Sequence, residues 1–272
     1  MRTFVAAFPM YDWPEVRQVV DADWAGLRDR LRAAGVTPPD RLTRRNADLP
    51  AVAGGIRNAE GIVIAPDPSS LPPEDLDLPT LWRHPDLLIA QTCWGPMQAG
   101  LQDVVHVIGQ PSYDGFEGGS GPLYSSAVLM RRRDGTADPH LPAFDIPAPP
   151  DGRPYLPVAA LSGRHLAYNA ADSRSGVIAL ERDLERAEGG GLFRERTETG
   201  SHRGSIIAVA EGKADVCAVD CRSWYLAKRF EPRSAALRVV GWTGLRKGLP
   251  LIASMHLPAA LIAALKAALA LN

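Results

Sequence analysis

The residues best placed to do chemistry in this 272-residue chain lie at four points where a short apolar run meets a polar or aromatic turn and then a helical pattern. These are Met10–Trp13, Thr92–Gly95, Asp172–Gly176 and Ser201–His202. A helix start offers unpaired backbone N–H groups and a positive dipole end, so it favours anions. In Asp172-Ser173-Arg174-Ser175-Gly176, two hydroxyls stand beside a glycine that lets a ligand approach the backbone closely. Ser and Asp are also the residues that cap helices, so the segment alone leaves both readings open. His202 could donate to an anion or simply close its turn. Asp220, directly after the apolar run Val216–Val219, is a carboxylate with little water around it and would want a cationic partner. Asp12 sits in a comparable place, where capping the first helix explains it equally well. Anion-friendly helix starts combined with one or two carboxylates suit a zwitterionic ligand that carries an amine. Tyr11, Trp13, Trp94, Tyr113 and Trp224 lie near these turns and could wall a ligand or pack between helix and sheet.

Nucleophilic catalysis has one candidate. Cys93 stands at a helix start, where the dipole lowers a thiol pKa, but no histidine is local to it and only folding could bring His202 near. The three cysteines, Cys93, Cys217 and Cys221, are too few and too unevenly spaced for a disulfide framework or a zinc site. Walker, dinucleotide and metal-helix motifs are all missing. Gly189-Gly190-Gly191 follows a helical pattern rather than a strand, so it reads as a linker. No catalytic residue, cofactor or metal is expected.

The balance of 30 Lys+Arg against 31 Asp+Glu leaves a net charge of −1, without the basic surplus that nucleic acid binding needs. Apolar residues at 46% and charged residues at 22% are ordinary for a globular chain and exclude general disorder. The longest uncharged run, Leu249–Leu265, contains Pro250, His256 and Pro258, so it reads as a strand and a helix rather than a membrane span. The apolar stretch Thr3–Phe8 is too short for a secretory leader. As written, the chain is expected to be cytoplasmic, or periplasmic if a leader was removed.

These sites need an alternating α/β scaffold to position them. Strands are expected at Thr3–Phe8, Gly61–Ala65, Asp86–Gln91, Val104–Ile108, Leu123–Arg131, His165–Asn169, Val216–Val219, Leu237–Trp242 and Leu249–Ser254, in largely parallel sheets. Val16, Val20, Trp24, Leu27, Leu31 and Ala34 mark a first helix that Gly35 stops. Val177, Leu180, Leu184 and Ala187 mark another, and Leu261, Ile262, Leu265 and Leu269 give the last helix its apolar face. A further helix opens at Gly200-Ser201-His202, and one more lies around Ser223–Phe230. Asp134–Arg153, dense in Pro, Asp and Gly, reads as an exposed irregular insertion.

Asp172–Gly176, Glu198-Thr199-Gly200-Ser201-His202 and Glu211-Gly212-Lys213-Ala214-Asp215…Val219-Asp220, in that order, resemble the second lobe of phosphate/phosphonate ABC-transporter substrate-binding proteins, the PhnD-like family. The likeness runs from the first strand to the last helix. It implies a two-lobe type 2 periplasmic-binding-protein fold with a hinge and an interlobe cleft. The lobes would be 1–111 with 249–272, and 112–248. It also implies that Ser173, Ser175, Gly176 and His202 hold a phosphonate or phosphate group and that Asp220 holds a ligand amine. First-lobe contacts would come from Tyr11, Asp12, Thr92, Cys93 and Trp94, and Tyr113 and Asp172 are further ligand-binding candidates. The implied partners are a small anionic or zwitterionic ligand and an ABC-transporter permease. A cytoplasmic enzyme or a ligand sensor on the same scaffold is the alternative.

Overall fold

The computed structural model describes residues 3–132, 144–188 and 191–270. The chain forms two compact units, Met1–Gln110 with Leu249–Asn272, and Pro111–Gly248.

The first unit is built on a four-stranded sheet in the order Val5–Ala7, Leu87–Gln91, Leu251–Ser254 and Val105–Gly109. Val5–Ala7 and Leu87–Gln91 are parallel, whereas Leu251–Ser254 runs antiparallel to both of its neighbours. Helix Arg17–Ala33 buries Val20, Trp24, Leu27 and Leu31 on one face, at the spacing read from the sequence. Gly35 follows it with φ 78°, a left-handed stop that suits glycine. The helix packs with Leu265 and Ala268 of the C-terminal helix Ala259–Ala270 against Leu88, Ile89 and Ile108. On the other face of the sheet, Leu81, Trp82, Met97 and Leu101 cover Val5, Ala7, Leu87 and Ala90. The expected strand Gly61–Ala65 shortens to Val63–Ala65 and pairs only with Ile56–Arg57 in a separate hairpin.

The second unit holds a five-stranded sheet in the order Glu195–Glu198, His165–Tyr168, Val216–Asp220, Ser126–Arg131 and Leu237–Trp242. The first three strands are parallel, and Ser126–Arg131 is antiparallel to both of its neighbours. Both sheets are therefore mixed rather than largely parallel. Ser126–Arg131 and Leu251–Ser254 enter from loops with no preceding crossover helix, and a parallel pairing requires such a crossover. Register pairs Asp220 with Ser126, so the start of one strand lies beside the end of the other. The polar strand Glu195–Glu198 was not legible in the pattern, because all four residues are exposed. The single strand expected over Leu123–Arg131 breaks at Ser125, whose N–H and hydroxyl both donate to the Gly118 carbonyl, at 2.7 and 2.9 Å. Leu123–Tyr124 joins a small three-stranded sheet instead.

Residues 133–143 of the Pro-rich segment, and Gly189 and Gly190 of the glycine run, lie outside the described residues. Beyond residue 143 the segment is tied to the sheet. Asp145 accepts from the Val239 N–H at 3.1 Å, and the Trp242 indole donates to the Ile146 carbonyl at 2.8 Å.

Helix Ala179–Glu188 is fastened by a buried ion pair. Asp183 accepts from the Gly244 N–H at 2.8 Å and from the Arg246 guanidinium, with side chains 2% and 15% exposed. Removing one partner strands the other charge in a dry site. Asp183→Ala should therefore cost about 3–5 kcal/mol in urea unfolding. A loss below about 1 kcal/mol, the range of exposed pairs, would show that water reaches the bridge.

Candidate functional site

In the second unit, strand His165–Tyr168 ends at Asn169, and the chain turns through exposed Asp172 into a helix. Ser173 starts that helix. Its hydroxyl accepts from the Gly176 N–H at 3.1 Å, and its carbonyl accepts from both Val177 and Ile178, at 3.3 and 3.2 Å. This double acceptance widens the first turn, Arg174–Ile178, into a π-type turn of the kind that often marks functional sites. Gly176 is needed because a Cβ there would lie 2.0 Å from the Asn169 carbonyl oxygen. The neighbouring helix, His202–Ala210, is capped by Ser201, whose hydroxyl accepts from the Gly204 N–H at 3.0 Å. That cap places His202 first in the helix, and its Nε2 lies 2.8 Å from Ser175 Oγ.

Asp220 closes the group at the end of Val216–Asp220, only 4% exposed. Its Oδ1 accepts from the N–H groups of Arg222 and Ser223 at 3.1 and 2.9 Å. Its Oδ2 accepts from the Ser223 hydroxyl at 2.6 Å and lies 3.4 Å from His202 Nε2. Asp220 is thus the cap of helix Cys221–Phe230. The carboxylate expected to hold a ligand amine thus already accepts from three protein donors. Burial lowers the His202 pKa from its ordinary value, and the Asp220 charge opposes this with a smaller effect. The imidazole is therefore neutral near pH 7. His202 Nδ1, Asn169 Oδ1 and Ser126 Oγ are buried without hydrogen-bond partners among the described residues.

Ser175, His202 and Asp220 have the composition of a hydrolytic triad but not its geometry. Serine and carboxylate both approach Nε2. A triad needs them on opposite ring nitrogens, so that the base is oriented through one and takes a proton through the other.

The first-unit candidates divide. Tyr11 is 2% exposed in the turn after Val5–Ala7. Asp12 receives the Arg44 guanidinium at 2.6 and 3.0 Å and lies 3.7 Å from Arg17, so the protein's own cations take up its charge. Thr92 is fully buried, with its N–H on the Pro250 carbonyl at 3.1 Å and its hydroxyl without a partner among the described residues. Half-buried Cys93 precedes helix Trp94–Gln98 without a side-chain capping bond, and Trp94 packs against the core. In the second unit, Tyr113, which could wall a ligand or pack inside, is packed inside. It is 0% exposed, with its ring 5.2 Å from that of Tyr124 and 6.5 Å from that of Phe116. Cys217 and Cys221 are buried, which pushes both thiols far above their ordinary pKa. Among the described residues no group of three or more His, Cys, Asp or Glu could hold a metal ion. Reading the sequence missed Ser126 and Asn169. Their only signal was a polar type at the end of an apolar strand.

A family model described as ABC transporter, phosphonate, periplasmic substrate-binding protein matches residues 97–270. The chain belongs to that family. Several solved structures share the fold of this phosphonate-binding family member. PhnD1 from Prochlorococcus marinus, in complex with methylphosphonate, is 15% identical over 98% of this chain and 83% of its own, with a TM-score of 0.60. A binding-protein component of an ABC phosphonate transporter from Pseudomonas aeruginosa is 13% identical over 98% and 74%, with a TM-score of 0.57. XAC2383 from Xanthomonas citri, bound to ATP, is 14% identical over 99% and 82%, with a TM-score of 0.56. The fold is the two-lobe α/β fold of periplasmic binding proteins. A comparison with curated proteins finds no match. No helix among the described residues is long and apolar enough to cross a membrane.

Two outcomes follow from this geometry. Gly176→Ala must push Asn169 aside, so it should lower stability by about 1–3 kcal/mol and weaken anion binding in the same protein, as read by urea unfolding and calorimetry. Wild-type stability with intact binding would show that the cradle tolerates a methyl. The second outcome concerns pH. Unfolded histidine titrates near 6.5, and folded His202 titrates below that value. Its contribution to stability is complete above pH 6.5 and drains away as pH falls toward the folded pKa, by up to about 1.4 kcal/mol per pH unit. His202→Gln should flatten urea-derived stability between pH 6.5 and pH 5 relative to the parent. Equal slopes would contradict the assignment.

Proposed function

We propose that the chain captures a small phosphonate or phosphate in its second unit, as the solute-binding component of an uptake transporter, and performs no chemistry on it. The carrying observation is that Ser175 Oγ meets His202 Nε2 at 2.8 Å where two capped helix starts converge. Hydroxyls and helix N-terminal amides offer oriented donors to a tetrahedral anion, and the neutral imidazole orients one of those hydroxyls. Family membership supports the reading, as do neighbours named for phosphonate transport. That membership also supports work in the periplasm and delivery to a permease. The shared Nε2 contact argues against a serine hydrolase, because nothing in it prepares Ser175 as a nucleophile.

The test is thermal shift and calorimetry with methylphosphonate, inorganic phosphate and 2-aminoethylphosphonate. A ligand at one hundred times its dissociation constant should stabilise the parent by about 2.7 kcal/mol. Ser175→Trp should abolish that stabilisation by filling the space at the helix start. Ligand binding that survives in Ser175→Trp would move the site elsewhere, and silence toward all three anions would overturn the function.

A further inference from the structure

We propose that Asp220 is a positioning residue, which holds His202 with its proton on Nε2 so that the Ser175 hydroxyl keeps its own proton for the bound anion. The inference rests on the proposed anion site and adds how that site is prepared. Asp220 Oδ2 lies 3.4 Å from Nε2, and Ser175 Oγ lies 2.8 Å from the same atom. A carboxylate offers only lone pairs, so a bare Nε2 facing it would be repelled, whereas an Nε2–H is attracted to both oxygens. With the proton there, Ser175 must accept from the ring. Its single O–H then points away from histidine, toward whatever enters the helix start. The opposite tautomer would turn Ser175 into a donor to Nε2 and remove that O–H from the site.

Two features hold the arrangement in place. Asp220 cannot swing away, because its Oδ1 accepts from two backbone N–H groups and its Oδ2 from the Ser223 hydroxyl at 2.6 Å. His202 Nδ1, buried with no partner among the described residues, has no carbonyl to draw the proton to that side. An unmet acceptor is also less costly there than a buried N–H with nothing to bond. A residue that reads as a direct ligand contact thus acts through two others.

Asp220→Asn is the decisive variant. The introduced amide keeps an oxygen for the helix cap but presents N–H to His202 Nε2, which forces the ring proton to Nδ1. Nitrogen NMR of the ligand-free parent should show a protonated Nε2 and a bare Nδ1, and the variant should show the reverse. Methylphosphonate affinity should fall at least tenfold in Asp220→Asn and in Ser175→Ala. The double variant should bind no more weakly than the weaker single, because both act through one hydroxyl. The idea is overturned by a parent with its proton on Nδ1, by losses that multiply, or by an Asp220→Asn defect confined to 2-aminoethylphosphonate. The last outcome would make Asp220 a direct amine acceptor. The tautomer is read without ligand and in the parent alone, so it decides the inference even if the variant does not fold. A parent with the expected tautomer that binds no phosphonate would sink the functional reading instead.

Discussion

One buried carboxylate constrains the chemistry of the second unit. Asp220 ends an apolar strand at 4% exposure, and an ionised group in that position persists only if donors surround it. The helix Cys221–Phe230 supplies two of them from its first turn, and Ser223 supplies a third. The remaining side of the carboxylate faces His202. A single solvation requirement therefore fixes where one helix starts, how the first side chain of another is oriented, and which ring nitrogen meets Ser175. The helix starts would exist without Asp220, but their side chains would not be held in one register.

The proposed anion site is built from dipoles more than from ion pairs. Arg203, beside His202, donates to Glu231 at 2.9 Å, and Arg222 stacks 5.6 Å above the Phe116 ring. The imidazole is neutral because burial outweighs its neighbour's charge. A reversible binding protein benefits from such a design. Oriented N–H and O–H groups select shape and hydrogen-bonding capacity, and they hold the anion without the large desolvation cost of a buried ion pair. The same arrangement argues against catalysis, since an activated nucleophile needs a base that is free to take its proton.

Much of this was legible in the sequence because the signals were local. The spacing of Val20, Trp24, Leu27 and Leu31 gave the first helix, and Gly35 gave its end. The hydroxyls of Ser173 and Ser201 gave two helix starts, and both residues do cap. Glu195–Glu198 escaped because an exposed strand on a sheet edge carries no hydrophobic alternation. Sheet direction escaped as well, since the antiparallel course of Ser126–Arg131 depends on pairing with Val216–Asp220 and Leu237–Trp242, far along the chain. Asn169 was visible as a residue but not as a participant. Its role depends on Gly176 leaving room for its side chain, a contact made only after the turn between them closes.

Asp12 and Asp220 show where local reading stops. Each follows a short strand, each precedes a helix, and each looks equally able to hold a ligand amine. What separates them comes from elsewhere in the chain. Arg44, thirty-two residues away, reaches back to clamp Asp12 in a bidentate pair, and its guanidinium also bonds Asp21 at 2.9 Å. Asp220 is met by two backbone N–H groups, the Ser223 hydroxyl and the neutral ring of His202. A carboxylate answered by arginine is electrically closed, and its surroundings gain little from a further ion. The Asp220 charge acts on His202, whose pKa it raises against the larger effect of burial. His202 in turn meets Ser175, so the two aspartates share a local pattern and differ in what they face, two arginines for Asp12 and a histidine–serine pair for Asp220.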